Sequence, residues 1–238
     1  MNTRGLALGA TLFLVPRLFA PELAHADQGG MRLPEIPAEY LVHDDDGFLV
    51  AYHPGTRERV RGLLPRLAEM RQELRERLGF AVLSDVEIRV GAMPIDLRRL
   101  LPAEGSEGQA VFAGRVLVLH AERELSSSDL ERTIRRELSR LALREAQGEV
   151  PDWFAEGFAA YSALPGYDQY AQVVGRTTLG RTRPELDLSR GPAADAEGVL
   201  AADFVRFLER SPGRLSEVTR ARREGQRFEA SMVRAVDA

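Results

Sequence analysis

The chain has 238 residues, with 32 basic side chains, 36 acidic ones and a formal net charge of −4. That length suits one domain, or one domain with a helical extension, and the charge offers no electrostatic footprint for nucleic acid. Lysine and cysteine are absent, which excludes a lysine nucleophile or Schiff base, a disulfide and a thiolate metal site.

Residues 1–4 are a short basic start, residues 5–18 are mostly apolar, and Ala24-His25-Ala26 is a small-x-small cleavage pattern. This layout predicts a signal peptide over residues 1–26, cut after Ala26, and a periplasmic or secreted product. Pro16 and Arg17 interrupt the apolar run, leaving it too short for a stable bilayer-spanning helix. No later segment is apolar enough to span. Cleavage takes the net charge to −5, because it removes Arg4, Arg17 and Glu22. Residues 27–37 read as a flexible lead-in, ahead of a folded region over 38–238.

Apolar runs at 40–43 and 48–52 flank Asp44-Asp45-Asp46-Gly47, whose Asp-Gly pair predicts a hairpin turn. A long helix is expected over about 56–78. Val60, Leu63, Leu64, Leu67, Met70, Leu74 and Leu78 lie on one face, Pro65 is expected to bend it, and Gly79 stops it. Val86, Ile88 and Val90 alternate with polar residues and predict a strand. Residues 96–101 read as a short helix, 105–108 as a loop and 116–120 as another strand. Ser128 with Glu131 three residues later predicts a capping box, opening a helix that ends near Gln147 at Gly148. Its buried stripe is Ile134, Leu138, Leu141 and Ala142. A second helix is expected over about 153–163, stopped by Pro165-Gly166. Leu200, Phe204 and Phe207 mark a third, and residues 215–223 and 228–236 two more. Strand-rich over 38–122 and helical over 128–238, the chain is expected to be α+β.

The two helices after residue 128 carry the chemistry. A zinc peptidase needs two histidines at i and i+4 on one helix, a Glu beside the first as general base, and a third ligand from the next helix. This chain has Arg136-Glu137-x-x-Arg140-Leu141-Ala142, then Trp153-Phe154-Ala155-Glu156-Gly157-Phe158-Ala159. The pair of segments resembles the peptidase MA-like, gluzincin-type metallopeptidases, whose pattern is His-Glu-x-x-His-Leu-Ala followed by Trp-Phe-x-Glu-Gly-x-Ala. The resemblance runs from about residue 40 onward, and the Trp-Phe-Ala-Glu-Gly-Phe-Ala run is its most specific part. It implies a strand-rich part packed on a two-helix active-site core with a helical C-terminal part. It also implies that Glu137 stands at the general-base position, Glu156 at the third zinc-ligand position, and Arg136 and Arg140 where the two histidines belong.

That departure decides the expected function. A guanidinium has no lone pair to donate and repels a dication. Zinc, the family's cofactor, is therefore expected to be lost, with no metal in its place and Glu137 vestigial. An ion-pair cluster of Arg140 and Glu156, assisted by Arg136 or Glu137, is expected where the metal belongs. A buried cluster would make loss of one partner cost about 3–5 kcal/mol, and an exposed one about 0–1 kcal/mol. His120, at a strand end, and Tyr161 are further candidates for the cleft lining, with packing as the other role for Tyr161. Trp153 and Phe154 are expected to be core anchors, and Gly157 to allow close helix packing. The expectation is an exported pseudopeptidase binding a peptide or protein segment, with the strand edge supplied by residues 111–120. An active metallopeptidase with a site rebuilt from His43, His53 or His120, and a purely structural envelope protein, are the alternatives.

Overall fold

The computed structural model describes residues 33–101, 110–121, 125–163, 197–211 and 213–237. The expected signal peptide, the 105–108 loop and the Pro165-Gly166 helix stop lie outside them.

Asp46 and Gly47 form a two-residue turn with positive φ at both positions, 48° and 76°, the backbone that an Asp-Gly pair accepts most readily. It joins β1 (Leu41–Asp45) to β2 (Phe48–Tyr52) in antiparallel register, Asp45 opposite Phe48. Arg71 holds the turn by donating to the Asp46 carbonyl and carboxylate. α1 (Arg57–Leu78) buries Val60, Leu63, Leu67, Met70, Leu74 and Leu78, with Leu64 half-buried beside them. The helix continues through Pro65 and ends at Gly79 in the left-handed conformation, φ 64°.

α1 returns the chain so that β3 (Val86–Gly91) lies parallel to β2. α2 (Pro94–Leu100) starts two residues before the expected position, with the Asp96 carboxylate accepting from the Ala92 and Met93 amides. β4 (Ala110–Ala113) and β5 (Val116–His120) form an antiparallel hairpin, with β5 parallel to β3. The result is a five-stranded mixed sheet in the order β1-β2-β3-β5-β4. Among the described residues its edges are β1 and β4.

One face of the sheet packs Val50, Ile88, Val90, Leu117 and Leu119 against α1 and α3 (Ser127–Gln147). The other packs Ala51 and Val118 against Tyr40, Leu97, Leu100 and Leu101. Central and covered on both faces, β3 is buried over its whole length. Its alternating pattern therefore does not separate core from solvent. Glu87 and Arg89, 7% and 4% exposed, pair with each other at 2.6 Å. Arg89 also donates to the Pro34 carbonyl at 2.5 Å, and Ile36 packs on the same cluster. The 33–37 end of the expected flexible lead-in is thus fastened to the sheet.

The N-cap of α3 is Ser126, not Ser128. Its Oγ accepts from the Asp129 amide at 3.1 Å, from an extended backbone. Glu131 instead lies 3.6 Å from Arg66 and 3.7 Å from Arg135. The remaining helices among the described residues are α4 (Asp152–Ala163), α5 (Glu197–Arg210), α6 (Arg214–Arg223) and α7 (Phe228–Asp237). α5 buries Ala201, Ala202, Val205 and Leu208. The helix expected from Leu200, Phe204 and Phe207 is this one; Phe207 is 44% exposed on it, with the Arg214 guanidinium over its ring. Every strand of the described residues precedes α3, so the fold is α+β. No helix among them is long and apolar enough to cross a membrane.

Candidate functional site

The buried face of α4 carries Trp153, Phe154, Gly157 and Phe158. Trp153 meets Phe154, Phe204 and Phe228 edge-on, with ring centroids 5.7, 5.8 and 6.2 Å apart. A β-carbon on Gly157 would stand 2.5 Å from the Ala201 carbonyl carbon, so the bare backbone lets α4 and α5 touch. These contacts fix α4 with Glu156 turned towards α3.

There the structure brings together the four residues at the motif positions. Arg136 Nη2 lies 2.8 Å from Glu156 Oε2. Arg140 Nη2 lies 2.5 Å from the same carboxylate, and Arg140 Nη1 donates to both oxygens of Glu137, at 2.9 and 3.0 Å. Arg140 is the hub, bridging a carboxylate on its own helix to one on the next. Burial pulls the Glu156 carboxyl up, but hydrogen bonds from Arg136 and Arg140 outweigh it and hold the group below its ordinary value. At Arg140 burial works against the charged form, and the two glutamates more than compensate.

The cluster straddles the surface. Glu137 is 13% exposed and Arg140 31%, whereas Glu156 and Arg136 are 42% and 46% exposed. This sets its energetics between the buried and exposed cases. As a metal site the donor set does not fit. Both Glu137 oxygens are engaged by Arg140, Glu156 holds two guanidiniums, and neither arginine offers a lone pair.

The other candidates lie apart from it. His120 follows the alternation of Val116 and Val118, whose side chains belong to the α2 face, not that of Leu117 and Leu119. It is buried beside Gly91. Tyr161 sits at the α1–α5 junction, with the Arg77 guanidinium 5.5 Å over its ring. Burial raises its phenol, Glu209 adding to the effect. His43 pairs with Val50 on the outer strand β1. His53 accepts from the Gly55 amide through Nδ1 and packs edge-on against Tyr40. The histidines are spread over three strands' positions, with His43 on β1, His53 just past β2 and His120 on β5.

The arginine stripe of α3 continues past the cluster. Arg144, one turn beyond Arg140, donates to the Gly114 carbonyl at the β4–β5 turn over 3.4 Å, and Arg115 from that turn pairs with Glu145 at 2.9 Å. The i, i+4, i+8 spacing of Arg136, Arg140 and Arg144 was the signal in the sequence. No protein-family model matches the chain, and no curated protein matches it.

Proposed function

We propose that this chain is an exported, catalytically inactive relative of the peptidase MA-like, gluzincin-type metallopeptidases, holding a peptide or protein segment without cutting it. The observation that carries this is the direct bonding of Arg136 and Arg140 to Glu156 and Glu137, at the positions the motif gives to two zinc ligands, the third ligand and the general base. Two guanidiniums take over the charge of a dication and fasten α3 to α4. Without a Lewis acid there is no activated water for Glu137 to deprotonate, and Glu137 is already occupied as an acceptor. The role left to such a domain is binding. An edge strand receives an extended segment through backbone hydrogen bonds, which needs no metal. β4 is the edge nearest α3, and among the described residues it pairs only with β5.

Metal analysis of the purified chain, together with a peptide-cleavage assay, tests this. The expected result is substoichiometric zinc and no cleavage above that of Glu137→Gln. Stoichiometric zinc with chelator-sensitive cleavage would establish a rebuilt metallopeptidase instead.

A further inference from the structure

The direction of α3 relative to the β4–β5 hairpin follows from its two ends. Six residues separate His120, the end of β5, from Ser127, the start of α3. At the far end, Arg144 reaches Gly114 and Glu145 reaches Arg115, both at the hairpin turn. α3 therefore runs back along the hairpin, antiparallel to β5 and parallel to β4. Its rotation is fixed by its partners. Glu131 and Arg135 face α1, bonded to Arg66 and Glu73. Arg136, Arg140 and Arg144 follow one another on the flank turned away from α1. That flank meets α4 at Arg136 and Arg140 and reaches the β4–β5 turn at Arg144.

This stripe carries an excess of positive charge. Its three guanidiniums meet two carboxylates, Glu137 and Glu156. Among the described residues no carboxylate pairs with Arg144, which is exposed and holds only the long contact to Gly114. From Arg136 to Arg144 the stripe covers about 12 Å at ~1.5 Å per residue. From Ala110 to Ala113 β4 covers about 10 Å at ~3.3 Å per residue. Edge and stripe are thus matched in length and tied together at the turn.

We propose that the occupant of the β4 edge is an acidic extended segment, one whose Asp or Glu side chains are read by Arg144 and Arg136. This rests on the edge-binding function proposed above. It adds charge selection, which an edge strand alone does not supply, since backbone pairing is blind to side-chain charge. Arginine suits the task because its planar fork takes carboxylates in two parallel hydrogen bonds. The net negative charge of the whole chain makes the selection local to this flank.

The test uses the full-length chain and three fluorescent octapeptides of alternating Val-X sequence, with X as Glu, Gln or Arg, read by anisotropy. The expected order is Glu tightest, by about tenfold over Gln, with the gap closing in high salt. Arg144→Gln lowers the ratio of Glu-peptide to Gln-peptide affinity towards one, and that ratio is the readout. Val111→Pro and Phe112→Pro, between them, weaken all three peptides, because one of the two removes an outward-facing amide. Equal binding of the Glu and Gln peptides, sensitive to the proline variants, would overturn the charge selection and leave edge binding standing. Binding of no peptide, or binding indifferent to both proline variants, would overturn the edge function itself and this inference with it.

Discussion

Arg140 shows how much a single side chain decides here. It spans from Glu137 to Glu156 with one guanidinium, so its loss leaves Glu137, 13% exposed, without its partner. Arg140→Ala is expected to cost about 2 kcal/mol in urea unfolding, between the values for surface and buried pairs. Glu156→Gln, at a more exposed carboxylate, should cost about 1 kcal/mol. The pH dependence has a definite sign. The folded-state pKa of Glu156 is depressed from its ordinary 4.5. Its contribution is complete above that value and is lost as pH falls through the lower folded-state value. Wild type and Glu156→Gln should therefore converge in stability as the medium is acidified, and a gap independent of pH would contradict the pairing. The Glu87–Arg89 pair lies much deeper. Arg89→Ala strands a buried carboxylate and releases the Pro34 carbonyl. A loss of about 3–5 kcal/mol is expected, against a much smaller one for Glu87→Leu with Arg89→Leu together. Similar losses for single and double variants would show that packing, not charge, dominates there.

At the scale of elements, periodic patterns were legible and local competitions were not. The α1 stripe and its Gly79 stop could be read directly, because a 22-residue helix against a sheet must repeat its apolar residues every three or four positions. The cap of α3 was displaced by two residues because Ser126, Ser127 and Ser128 all carry a capping hydroxyl. Which one serves depends on where the backbone leaves the extended conformation. The burial of Glu87 and Arg89 on β3 could not be read, since alternation does not report that a second layer covers the strand. Phe207 marked its helix in the sequence, but its exposure under the Arg214 guanidinium could not be read from spacing. Gly157 was legible as a packing glycine, and the reason is steric. Gly157→Ala would force a methyl against the Ala201 backbone, with an expected cost of about 1–3 kcal/mol. A thermal midpoint equal to wild type would mean that α4 and α5 move apart without penalty.

Over the whole molecule, the α+β class followed from the order of strands and helices, but the strand order did not. Nothing in the sequence distinguishes a β4 that lies outside β5 from one inserted beside β3. Lying outside β5 makes β4 an edge among the described residues, and alternation along β5 puts His120 on the face of Val118. The four charged residues at the motif positions were legible because helical spacing and a short inter-helix connection leave little freedom in how α3 and α4 meet. For Arg144 the helical spacing placed it on the same stripe, but its contact with the hairpin turn could not be read from the sequence. The proposed function requires that Arg136 and Arg140 stand at two ligand positions of a lost zinc site. Zinc stoichiometry after dialysis, measured on wild type and on Arg136→His with Arg140→His, tests it most directly. The account predicts a metal-free wild type and about one zinc per chain in the double variant, because two imidazoles then join Glu156. Stoichiometric zinc in the wild type, or none gained by the double variant, would contradict it.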